Sequence, residues 1–218
     1  MSSFPSVVFS AAQTRWVGKR CIVRPTIERA LDNWQLVKHK RVLDVGCGSG
    51  RIGRDILENG ASEVVGIDNS EKMIEIAKQA FQDERQQFLQ GSILDCDLHG
   101  FDVAVAFFVL QFMENKEQLV KAIENIFNSL KSSGVLVVIV PNGVKNFNPT
   151  TEEAKKFGAG INLDSDPNLY DGRRVRVEFF EDGEMVGSSP VTFFFNETYE
   201  KTLKEAGFSK HLADDDDG

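Results

Sequence analysis

Three features of this 218-residue chain predict a doubly wound α/β fold on a mostly parallel sheet, with an antiparallel insertion near the C-terminus. First, Arg41-Val42-Leu43-Asp44-Val45 runs straight into Gly46-Cys47-Gly48-Ser49-Gly50. This is a short β-branched segment followed by a glycine turn and then helical spacing. Second, apolar segments alternate with helical patterns as far as residue 141. Third, two β-branched and aromatic runs flank the turn Glu181-Asp182-Gly183-Glu184.

Taken in order, residues 1–20 read as irregular and 26–38 as a helix, with Ile27, Leu31, Trp34 and Val37 at helical spacing. Val42 to Val45 is a buried parallel strand, and Ile52, Ile56 and Leu57 mark the face of the helix after it. Glu63 to Asp68 is a second strand. Ser70 caps a helix whose face carries Met73, Ala77, Ala80 and Phe81. Phe88 to Asp95 continues the sheet, and Phe101 to Phe112 is the next strand with its exit. Asn115 caps a helix with the stripe Leu119, Ile123, Ile126, Phe127 and Leu130. Gly134 is expected in a connecting turn, and Val135 to Val140 as a central buried strand. Residues 142 to about 172 read as a long loop. Arg174–Phe179 and Val191–Phe195 read as paired strands. A last helix starts at Asn196, presents Tyr199, Leu203 and Ala206, and stops at Gly207; Phe208 to Leu212 is a short strand candidate.

The length suits one domain. Its expected parts are an N-terminal lid and helix (1–40), a core (41–141), a loop and β insertion covering the site (142–195), a last helix and short strand (196–213) and an acidic tail (214–218). The net charge is −8, and four of the negative charges are Asp214 to Asp217. An acidic body without a basic stripe is a poor match for nucleic acid, so no nucleic-acid partner is expected. Three scattered cysteines and the lack of a long apolar run lead to the expectation of a cytoplasmic chain with no membrane partner, acting as a monomer or homodimer.

The glycine turn places backbone N–H groups at the carboxyl end of the sheet, where open α/β sheets bind ligands. Gly48 to Gly53 also satisfies Gly-x-Gly-x-x-Gly, which alone would suit a dinucleotide. Asp44, two residues before the first glycine, repels a pyrophosphate and suits a cationic nucleoside such as S-adenosylmethionine (SAM), with its sulfonium and ammonium. Asp68, at the tip of the second strand, can accept hydrogen bonds from ribose hydroxyls and fits either ligand.

The apolar strand with Asp44-x-Gly46-x-Gly48-x-Gly50, then Asp68, then Phe101-Asp102 with an apolar strand leading into Leu110-Gln111-Phe112, and finally Pro141-Asn142, resembles the class I SAM-dependent methyltransferases. That resemblance covers residues 41 to about 141 and implies a Rossmann-like fold. It implies SAM as cofactor, S-adenosylhomocysteine (SAH) as product, no metal, and contacts from Asp44, Gly46, Cys47, Gly48, Gly50, Asp68, Asn69, Met73, Ser92, Ile93, Ala106 and Phe107. Ser92 stands where relatives carry an acid toward the adenine amino group, with Asp95 as a substitute, and Ile93 would cover an adenine face. The Asn/Asp-Pro-Pro-Tyr/Phe segment of amino-methylating nucleic-acid enzymes is absent.

A later layout, Lys156-Phe157-Gly158, Asp171-Gly172-Arg173, Thr198-Tyr199-Glu200 and Ala206-Gly207-Phe208, is similar to the toxoflavin-biosynthesis-like branch of small-molecule methyltransferases. It implies a small-molecule acceptor methylated on oxygen or nitrogen. Trp16, Phe112, Asn142, Tyr170, Arg173 and Phe195 are the pocket candidates. No catalytic base is identified: His39, His99 and His211 all lie outside the motifs. A nucleic-acid methyltransferase, a non-catalytic SAM-binding or partner subunit and a nicotinamide enzyme are the competing expectations.

Overall fold

The computed structural model describes residues 22–141, 152, 155–156, 158–163 and 168–209. Expectations that fall on the irregular start with Trp16, on Asn142, on the strand candidate beyond Ser209 and on the acidic tail lie outside these residues.

Two sheets make up the strand framework. The first is five-stranded and parallel, with strands β1 (Arg41–Val45), β2 (Glu63–Asp68), β3 (Gln86–Gln90), β4 (Phe101–Phe107) and β5 (Leu130–Ile139) in the order β3-β2-β1-β4-β5. Helices α1 (Arg24–Ala30), α2 (Arg51–Glu58), α3 (Glu71–Ala80) and α4 (Lys116–Ser129) accompany it. This is the Rossmann-like architecture that the sequence predicts. Its strand order reverses between β1 and β4, which opens a crevice at their carboxyl ends. The β1 run is apolar on both faces because both are covered. Leu43 and Val45 join one buried cluster with Phe101, Ile123 and Ile126, and Val42 joins another with Ile56, Val64 and Val105. Each such buried aliphatic or aromatic side chain contributes about 2 kcal/mol.

The second sheet is antiparallel: β6 (Ala159–Asn162), β7 (Arg173–Glu181) and β8 (Glu184–Phe193), in that order. Asp182 and Gly183 have φ of 50° and 83°, the left-handed pair that a tight hairpin requires. Val175, Val191 and Phe193 form its buried face, and Phe112 of the first unit packs against them. The last helix, α5 (Asn196–Ala206), ends at Gly207 with φ 108°.

Several expectations are corrected. The helix expected over 26–38 is α1, which stops at Ala30, followed by a 3-10 turn at Gln35–Val37. Asp32, Asn33 and Trp34 between them all have positive φ, a conformation no helix continues through. Leu31 and Val37 are nonetheless buried, as their spacing predicts. On α3, Ile74 is buried and Ala80 is exposed, so the covered face is turned by about one residue. The third strand stops at Gln90, because the Ser92 hydroxyl accepts from Leu94 N at 3.2 Å and closes a turn.

Gly134 lies within β5 rather than in a connecting turn. The pairing with β4 steps from Phe101↔Leu130 to Val103↔Val135, a register shift within the strand. A Cβ on Gly134 would lie 2.8 Å from Leu130 Cβ. Nor is β5 central. Among the described residues it pairs with β4 alone, and Val135 is 39% exposed. An unbroken apolar run reads the same for a strand flanked on both sides and for one flanked on one. Strand β6 lies inside what reads as loop. Strand β8 begins at Glu184, well before Val191, and includes Pro190, which an edge strand tolerates. Phe195 is the N-cap of α5 rather than a strand residue. The antiparallel strands form their own sheet and do not extend the parallel one among the described residues.

Candidate functional site

The turn from β1 to α2 carries the candidate site. Gly46, Gly48 and Gly50 have φ of 70°, 51° and 78°, so the chain passes through the left-handed region at every second residue. The glycines differ in their surroundings. A Cβ on Gly46 would lie 2.8 Å from Val109 Cβ, and one on Gly50 2.6 Å from the Phe88 ring. A Cβ on Gly48 would meet nothing within 4 Å. The first and last glycines are therefore required by packing, while the middle one presents bare backbone to open space. Gly46 and Cys47 donate to Ile67 O at 2.8 and 3.1 Å, which holds the turn against the end of β2.

Asp68 clasps two turns together. Its Oδ2 accepts from Gly48 N and its Oδ1 from Ser70 N, each at 2.9 Å. Burial pushes its carboxyl above the usual range, against the pull of these two N–H groups. Ser70 in turn caps α3 by accepting from Met73 N at 3.4 Å. Asp44 is only 3% exposed and lies beneath Gly53 of α2. Burial first and the neighbouring Asp68 second push its carboxyl up to about 7, while a hydrogen bond from the Gly53 backbone opposes the rise. Its Oδ2 has no partner among the described residues.

The remaining cofactor candidates divide into buried and exposed groups. The Cys47 side chain packs with Ile74, Ala77 and Phe88, so only its backbone belongs to the turn. Met73, Ile93 and Ala106 are buried, Ser92 and Phe107 half-buried and Asn69 exposed. Asp95 is exposed and paired with Lys121 of α4 at 3.0 Å, so the Ser92 position has no substitute acid there.

On the other side of the crevice, β4 exits through Phe108, whose φ is 54°, into a 3-10 turn at Leu110–Phe112. Phe108 N donates to Ile139 O at 2.7 Å, and Gln111 Nε2 donates to Phe108 O at 2.8 Å. The small sheet is fastened here: the buried Thr192 hydroxyl donates to Met113 O at 2.6 Å. Phe112 and Phe195 both pack in the apolar cluster under that sheet, and Tyr170 is exposed. Arg173 is buried, with its guanidinium donating to the carbonyls of Leu163 (2.9 Å) and Asn168, so it holds the preceding loop.

Sequence reasoning missed four contributors. Val109 covers Gly46. Gln86 is buried at the start of β3 and donates to Gly50 O at 3.0 Å from two strands away. Asp171 accepts from Phe195 N (2.8 Å) and the Thr198 hydroxyl (2.7 Å), capping α5 across 24 residues of chain. Thr192 is the fourth. Gln86 had a signal, a polar residue at the inward position of a strand; the other three act through contacts distant in sequence.

Residues 42–134 match the family described as "Methyltransferase domain". The chain is 28% identical over 193 residues to the sterol 24-C-methyltransferase of Candida albicans, covering 84% of this chain and 44% of that protein. It is 27% identical over 196 residues to the putative methyltransferase YqeM of Bacillus subtilis, covering 78% and 74%. It thus spans under half the length of the Candida relative. Among solved structures, the CcbJ methyltransferase from Streptomyces caelestis superimposes with a TM-score of 0.71 at 18% identity, over 95% of this chain and 88% of that one, a likeness of fold.

Proposed function

We propose, from the match of residues 42–134 to a methyltransferase domain and the Rossmann-like fold around the glycine turn, that this chain is a class I enzyme that transfers the methyl group of SAM to an oxygen or nitrogen of a small molecule. The observation that carries the reading is the contrast within the glycine turn: two glycines are packed against side chains, and Gly48 stands open beside Asp68. Such bare backbone suits the close approach of a flat nucleoside.

The residues present fit that cofactor. Asp44 keeps a buried oxygen without a partner, and its raised carboxyl would ionise more readily beside a cation. Each Asp68 oxygen, bonded once to backbone N–H, retains capacity for a ribose hydroxyl. Asn69, Met73, Ser92 and Ile93 are assigned to the nucleoside, and the backbone at Gly46, Cys47, Gly50, Ala106 and Phe107 to the methionine end. When bound, SAM would supply a methyl on a sulfonium to the acceptor's lone pair, with the carbon–sulfur electron pair kept by sulfur and SAH as the product.

The protein's own contribution is position. The Phe108–Met113 turn abuts the glycine turn through Val109 and the small sheet through Thr192, so acceptor and donor are held by one rigid joint. The apolar cluster with Phe112 and Phe195 keeps water from the acceptor.

Calorimetry with SAH and, in parallel, NAD tests the cofactor. Micromolar SAH binding without NAD binding is expected, and the reverse overturns the reading. Turnover of methyl-labelled SAM across a panel of phenols and amines separates an enzyme from a SAM-binding subunit, which would bind SAH and transfer nothing.

A further inference from the structure

We infer that Gln111 binds the methyl acceptor directly: its side-chain oxygen takes a hydrogen bond from an O–H or N–H group on a small aromatic acceptor. The inference rests on the methyl-transfer reading above. Gln111 lies in the 3-10 turn that follows β4 and is 7% exposed. Its Nε2 donates to Phe108 O. Only the nitrogen end of an amide can face a carbonyl, so this contact identifies Oε1 as the remaining end. Oε1 is buried and has no partner among the described residues.

A buried acceptor without a donor costs free energy that an apolar side chain of the same length would not. Such a group calls for a physical reason, and a bound ligand is one. The surroundings give the ligand its character. Two residues before Gln111, Val109 sits on the glycine turn; next to it, Phe112 packs with Leu163, Leu169 and Phe195 under the small sheet. Gln111 therefore belongs to the joint between the donor turn and an apolar, partly aromatic cover.

The joint is held stiffly. Phe108, in the left-handed region, is tied through its carbonyl to Gln111 and through its N–H to Ile139. An apolar cover with one unmet acceptor selects a flat apolar molecule bearing one donor. A neutral amide oxygen accepts a hydrogen bond but not a proton. Gln111 thus aims the nucleophile, and the nucleophile's proton passes to solvent after its lone pair has taken the methyl carbon.

The test is calorimetry on the full chain saturated with SAH, titrated with phenol and with anisole, which keeps the ring and removes the donor. Phenol is expected to bind about tenfold more tightly than anisole, the worth of one buried hydrogen bond. In Gln111→Met, of similar length but without the acceptor, the two ligands should bind equally. In Gln111→Glu, read at acidic pH where the protonated carboxyl can donate to Phe108 O and still present an acceptor oxygen, the preference should persist. SAH affinity should stay within about twofold in both variants, because neither touches the glycine turn. Equal binding of phenol and anisole to the unaltered protein, absence of both, or an intact preference in Gln111→Met overturns the inference. Failure of the unaltered protein to bind SAH, read before any phenol is added, instead removes the methyl-transfer reading.

Discussion

In the five-stranded sheet, three of the four neighbouring strand pairs are joined through a helix, and β1 and β2 bring Gly48 and Asp68 together within 20 residues of chain. In the three-stranded sheet, β7 and β8 are joined by the two-residue turn Asp182-Gly183, and among the described residues the sheet meets the rest through Phe112 and long-range hydrogen bonds. Thr192 reaches Met113 across 79 residues, and Asp171 reaches Phe195 across 24. The parallel unit thus builds its site from local turn chemistry, while the antiparallel unit has its place through a few tertiary contacts. Damage to the first should appear in cofactor affinity, and damage to the second in stability alone.

The largest expected effect is Gly46→Ala. Its Cβ would enter the space of Val109 at a φ of 70°, so clash and strain add to about 3 kcal/mol or more. SAH titration and thermal melting should both show the loss. Gly48→Ala meets no neighbour and should lower stability by only about 1 kcal/mol while still weakening SAH, since its methyl would fill the open face. Equal destabilisation by the two would erase the distinction between packed and open glycines.

Asp171→Ala removes both bonds at the start of α5 and should cost about 2 kcal/mol in denaturant melts, with SAH affinity unchanged. Asp171→Asn should cost about half as much, because one acceptor remains. A loss of SAH affinity in either would show that the two units are not separable in this way.

Asp44 gives a pH signature. Its carboxyl is raised from 3.8 to about 7, so between these values the folded chain holds a proton that the unfolded chain has released. Its contribution to stability is full below about 4 and is lost as pH rises through about 7. Affinity for the cationic SAM should run the opposite way, rising toward pH 7 as the carboxylate forms. Asp44→Asn should flatten both profiles, read by melting and calorimetry at pH 5 to 8.

The smallest effect belongs to His99, at the far end of the sheet from the crevice. Its Nδ1 faces Asn128 O at 3.0 Å and its Nε2 faces Asp97 Oδ1 at 2.7 Å, which favours the protonated ring and raises its pKa. This contribution is present below about 6.5 and fades as pH rises above it. The group is exposed, so His99→Gln should shift the melting temperature by only ~1 °C, and only at acidic pH.

The glycine turn and its tie to Asp68 were legible because their signals are local. A strand, three alternate glycines and an acid at the next strand's tip are each read within a few residues. The surroundings of the small sheet were not. Arg173 read as a pocket residue, but its guanidinium holds the carbonyls of Leu163 and Asn168. Asp171 read only as part of a family-like segment, but its carboxylate accepts from Phe195 N and the Thr198 hydroxyl at the start of α5. A hydrogen bond between residues far apart leaves no period and no spacing in the chain.

By itself the sequence determined the kind of each element in the parallel unit, the turn at Gly46 to Gly50 and the hairpin at Asp182-Gly183. Backbone freedom and hydrophobic period are properties of neighbouring residues. Only the tertiary structure decided that Asp44 lies buried beneath Gly53 with one oxygen unmet, that β5 is flanked by β4 alone among the described residues, and that Gln111 turns its nitrogen to Phe108. Period tells which face of an element is apolar; what covers that face, and which polar atom is left without a partner, depends on chain that arrives from elsewhere.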